Sequence, residues 1–83
     1  MAKSRPIVLV NWLDSCSPSR KWQDMNEMKG YRPLPCSTVG YLMEKRKDAI
    51  IIAASMSNGA GCTEAGDYTA IPRNCVVSIK RLK

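Results

Sequence analysis

The sequence predicts an all-β protein: a small five-stranded barrel with a long, partly helical connection after the first strand. Three observations carry that reading. Val39, Tyr41 and Met43 alternate with Gly40, Leu42 and Glu44, a period of two that places successive side chains on opposite faces of a strand. Ile50, Ile51 and Ile52 are consecutive and β-branched, a run that suits a strand covered on both faces. Between these segments lies one charged knot, Lys45-Arg46-Lys47-Asp48, which reads as the tip of a β-hairpin running from about Ser37 to Met56. A continuous helix over Val39–Met56 is the rival reading, since Leu42 to Lys47 are good helix formers. The three isoleucines and Thr38-Val39-Gly40 count against it.

The remaining elements follow in chain order. Residues 1–5 read as a disordered basic arm. Pro6 then introduces Ile7-Val8-Leu9-Val10-Asn11-Trp12-Leu13-Asp14, an apolar, β-branched strand. Proline is tolerated at a strand's start, where no ladder donor is needed. Cys16 to Cys36 forms the long connection. Ser17 can cap a helix there, with Pro18 in its first turn and Gly30 just past its end. Trp22, Met25 and Met28 recur every third residue and predict one apolar helix face, which either lids the open end of the sheet or docks a partner. Tyr31-Arg32-Pro33-Leu34-Pro35 is extended, because each proline pushes its predecessor out of the helical region.

After the hairpin, Ser57 to Asp67 holds Gly59, Gly61 and Gly66 and reads as a flexible loop. It lacks the lysine of a nucleotide-binding P-loop. Glu64 stands where a dinucleotide-binding loop needs its third glycine. Tyr68-Thr69-Ala70-Ile71 is a short strand and Pro72-Arg73-Asn74 breaks it. Cys75 to Leu82 is the last strand, with Cys75, Val77, Ile79 and Arg81 on one face and Val76, Ser78, Lys80 and Leu82 on the other.

With 83 residues the chain makes one domain, residues 1–83. A chain of this size buries only ~60% of the surface exposed on unfolding, so a thin core is expected and a homo-oligomer would help to cover the rest. No apolar run is long enough to cross a membrane, and the basic start leads into a strand rather than a signal peptide; a cytoplasmic protein is the expectation. The four cysteines, 16, 36, 62 and 75, contain no C-x-x-C pair, and no histidine can substitute as a ligand. They read as free thiols, and neither a metal nor another cofactor is expected. The absence of histidine also removes the commonest general base. Asp14 with Ser15 and Cys16, or Cys62 with Glu64, would make an incomplete catalytic set, so no enzymatic activity and no catalytic residue is assigned.

The order of elements resembles that of small SH3-like and Sm-like barrels: a strand, a long irregular connection, a central hairpin, a fourth strand, a one-turn break and a fifth strand. In those folds the break is a single 3₁₀ turn, and Ile71-Pro72-Arg73-Asn74 has the length and chemistry for one. The chain is also similar to small uncharacterised proteins of tailed bacteriophages. The likeness rests on Trp12 and Asp14 closing the first strand, Trp22 in the long loop, Val39 to Leu42 opening the hairpin, and Ile71-Pro72 before the last strand. That resemblance implies no activity and transfers no functional residue.

The formal charge is +6, from 13 Lys and Arg against 7 Asp and Glu. Such an excess favours anionic partners. The primary expectation is a binding module for nucleic acid or a phosphorylated nucleotide. Its cationic candidates are Arg46 and Lys47 at the hairpin tip, Arg73 in the one-turn break, and Lys80 and Arg81 in the last strand. Trp12, Trp22 and Tyr41 are the candidate stacking platforms. The alternative is a protein-interaction module, phage-encoded, that inhibits a host protein or sequesters a host signalling molecule. Its surfaces would be the Trp22-Met25-Met28 face and the sheet edges.

Overall fold

The structure is a computed structural model and describes residues 5–17, 22–57, 61 and 64–83. Five strands form one antiparallel sheet: β1 (Ile7–Asp14), β2 (Leu34–Lys45), β3 (Ala49–Met56), β4 (Ala65–Pro72) and β5 (Val76–Arg81), in the order β4-β3-β2-β1-β5. The all-β expectation therefore holds. The closed barrel does not: β4 and β5 are the two edges of the sheet and do not pair with each other. A 3₁₀ turn at Arg73–Cys75 joins these edges in sequence, where the one-turn break was expected.

The hairpin forms as the pattern dictates. Tyr41 pairs with Ala53 and Leu42 with Ile52, and the Arg46 N–H donates to the Ala49 carbonyl at 2.9 Å to close the tip. Val8, Val10, Ile50, Ile52 and Ile71 make up the buried cluster. Trp12, Leu42, Cys75, Val76 and Ile79 pack around its rim. The isoleucine run splits between faces, as alternation requires: Ile50 and Ile52 enter the core, and Ile51, half-buried, faces away. Gly40 is needed where β2 crosses β3, because a Cβ there would stand 2.6 Å from the Ala53 carbonyl oxygen and 2.6 Å from Ile52 Cγ2.

Two expectations are corrected. Over its described residues from Trp22 onward the long connection is not a capped helix. Among the described residues it contains a single 3₁₀ turn, Glu27–Gly30, and Trp22, Met25 and Met28 lie in solvent at 89%, 81% and 62% exposure, so they lid nothing. A short amphipathic segment needs a packing partner to hold it helical, and among the described residues nothing buries the Trp22, Met25 and Met28 side chains. Residues 18–21, where that helix would have started, lie outside the described residues.

Strict alternation along β5 also fails. A bulge opposite Asn11 and Trp12 sets Val76 beside Trp12 while Ser78 pairs with Asn11 and Ile79 with Val10. Two residues of β5 thus answer one step of β1. Val76 and Ile79 reach the core, and Val77 is left 64% exposed. Cys75 belongs to the 3₁₀ turn rather than to the strand.

Of the expected basic arm, residues 1–4 lie outside the described residues, and Arg5 donates from its guanidinium to the Met43 carbonyl. Much of the glycine-rich loop, residues 58–60 and 62–63, is likewise outside them.

Candidate functional site

The sheet sorts the cationic candidates into two groups. Arg46, Lys47 and Arg73 share one end. The Arg73 N–H donates to the Asp48 carbonyl at 3.0 Å, which ties the 3₁₀ turn to the hairpin tip. The charge at this end is largely answered: Arg46 reaches Glu44 at 3.4 Å and Asp48 at 3.3 Å. Lys47 is exposed and Arg73 half-buried.

Lys80 and Arg81 lie at the other end of β5, beside Leu9 and Val8. Five residues of strand from Val76 span ~17 Å, so the two groups do not form one patch. At this second end the structure adds two cations that sequence reasoning left out. The Lys83 carbonyl accepts from the Ile7 N–H at 2.9 Å, and the Leu82 N–H donates back to the Ile7 carbonyl at 2.7 Å, bringing Lys83 next to Arg5 and Pro6. Lys80, Arg81 and Lys83 therefore gather where β1 and β5 pair, whereas the Arg5 guanidinium reaches the other way, to the Met43 carbonyl on β2 beside Glu44. Among the described residues, none of the four makes an ion pair with a carboxylate. The pairing of the two chain ends was the missing information; only β1–β5 register supplies it.

The aromatic candidates have three different fates. Trp12 is half-buried on the core rim, and its indole N–H donates to Thr38 Oγ1 at 3.0 Å. Trp22 stands free in solvent on the long connection. Tyr41 is half-buried on the face of the sheet away from the core, in register with Ile7 on β1 and Ala53 on β3. Ala53 is in turn opposite Tyr68 of β4, which is 68% exposed. Tyr68 was not among the sequence candidates, because its strand could be aligned with Tyr41 only through the intervening β3.

The same outer face carries a polar ladder. Asn11 donates to Ser78 Oγ at 3.2 Å and accepts from Ser37 Oγ at 2.7 Å. Near Tyr68 there is a shallow cavity of about 260 Å³ lined by Arg5, Met43, Glu44, Ile51, Ala65 and Tyr68.

Cys16 is an exposed free thiol; Cys36 and Cys75 are free and half-buried. No group of three or more potential metal ligands exists among the described residues. No helix among them is long and apolar enough to cross a membrane. Comparison of the chain with protein-family models, with curated proteins and with solved structures finds no significant match.

Proposed function

We propose that this protein is a non-catalytic binding module for an anionic ligand, nucleic acid or a phosphorylated nucleotide. The observation that supports this reading best is the group formed by Lys80, Arg81 and Lys83 where β1 and β5 pair, three cations that make no ion pair with a carboxylate among the described residues. Arginine offers bidentate phosphate contacts and lysine a mobile point charge, so the set is suited to a run of phosphates. The hairpin-tip cations play the lesser part, because Arg46 is already committed to Glu44 and Asp48.

The test is binding of labelled nucleic acid as a function of salt. The wild-type protein should bind with a log–log salt slope that flattens by ~2 in the Lys80→Ala/Arg81→Ala double variant, about one per phosphate contact removed. Unchanged affinity and slope in that variant would remove the reading.

The fold belongs to the same proposal as an open relative of the SH3-like and Sm-like barrels, supported by the strand order and by the 3₁₀ turn between β4 and β5. With it go a phage origin and action in the host cytoplasm. A second reading, a module that docks a host protein, is favoured by one specific observation: Trp22, Met25 and Met28 are exposed together on the long connection. Recovery of a single host protein on wild-type bait, lost with Trp22→Ala, would support it over the first.

A further inference from the structure

We infer that the outer face of the sheet is a base-stacking platform and that the ligand is single-stranded nucleic acid. This rests on the anionic-ligand reading and narrows it. Tyr68, Ala53, Tyr41 and Ile7 stand in one row across β4, β3, β2 and β1. Ala53, between the two tyrosines in register, is fully buried although it lies outside the core cluster. Tyr41 and Tyr68 are two strands apart, a spacing of ~10 Å. That leaves room for one base on each ring.

The chemistry around the row matches such a strand. Arg5 lines the cavity beside Tyr68, and Lys80 is on the same outer face, next to Leu9. Phosphates of a strand crossing from β4 toward β1 would meet Arg5 beside Tyr68 and Lys80 beyond β1, one cation toward each end of the row. The one carboxylate lining the cavity, Glu44, is drawn to Arg46 at 3.4 Å, a cation it shares with Asp48. Met43 and Ile51 give the cavity an apolar floor, which suits the flat side of a base. Asn11, Ser37 and Ser78 continue the face with neutral hydrogen-bonding groups that tolerate any sequence. A duplex keeps its bases stacked on one another, so it cannot use the tyrosines.

The experiment is fluorescence anisotropy with a short labelled single-stranded oligonucleotide, the matching duplex and a mononucleotide. Single strand should bind tightest. Tyr68→Ala should weaken it by ~5- to 150-fold, the loss of one stacked base, and Tyr68→Phe should keep wild-type affinity. Tyr68 is mostly solvent-exposed, so neither variant threatens folding. If Tyr68→Ala binds as wild type while Lys80→Ala/Arg81→Ala does not, or if duplex binds as well as single strand, the platform is overturned and the anionic-ligand reading survives. If the wild-type protein binds none of the three probes at low salt, both are overturned.

Discussion

Gly40 shows how much a single position decides. The Cβ of any other residue would meet a backbone oxygen and a core methyl at 2.6 Å, and neither can swing aside as a flexible chain end would. Gly40→Ala is therefore expected to destabilise by ~1–3 kcal/mol, a fall of ~5–20 °C in Tm for a domain of this size. Thermal unfolding followed by circular dichroism checks it, and an unchanged Tm would mean that β2 and β3 can separate at no cost. Ile50 makes the complementary point, since it is fully buried at the centre of a five-residue core. Ile50→Ala should cost ~2–5 kcal/mol, a large part of the ~4–12 kcal/mol a chain of this length can hold, and chemical denaturation would read it directly. The sequence marked Ile50 as core through its β-branched run. It gave Gly40 only as one beat of an alternating strand, because the close approach of β3 exists only after the strands pair.

At the scale of elements, the hairpin is the part that local chemistry specifies most fully. Its alternation, its isoleucine run and its charged tip all point to the structure that forms. The ion pairs at that tip are exposed, with Arg46 half out in water. Long exposed side chains lose rotamer freedom when they pair, and salt screens what remains. Arg46→Ala should therefore change stability by no more than ~1 kcal/mol in a denaturation curve. A larger loss would show that the tip holds the 3₁₀ turn through more than the Arg73 to Asp48 backbone bond. The bulges at Asn11/Trp12 and Leu42/Glu44 were beyond local reading. Each is a mismatch between two strands, and neither strand alone carries a signal for it. The long connection misled for a related reason. A spacing of three creates an apolar stripe on a helix, but the stripe stabilises a helix only when something covers it.

The whole molecule is more extended than its length implies. The radius of gyration is 16.7 Å, against ~12 Å for a compact chain of the same size. The far ends of β1 and β2 project beyond the core, pairing Leu13 with Pro35 and Asp14 with Leu34. Leu13, Trp22, Met25, Met28, Tyr31 and Leu34 are all exposed on or beyond that ribbon. Since these side chains bury little in the isolated chain, Trp22→Ala/Met25→Ala should leave the denaturation midpoint within ~0.5 kcal/mol of wild type. A clear drop that grows with protein concentration would reveal instead that copies of the chain cover each other's ribbons.

The pairing of the first strand with the fifth has a consequence in time as well as in space. One side of β1 has no partner until β5 exists, and β5 is the last strand of the sheet to be made. During synthesis the hairpin can close as soon as it emerges. The inner row of Val8 and Val10 must wait beside an open edge for Val76 and Ile79 to arrive. Contacts this distant in sequence are slow to form, and an apolar edge left waiting is a template for the wrong strand. The newborn chain is thus most exposed to misassembly just before its final strand is delivered, and the cations in that strand then give the completed edge a charge that discourages strangers.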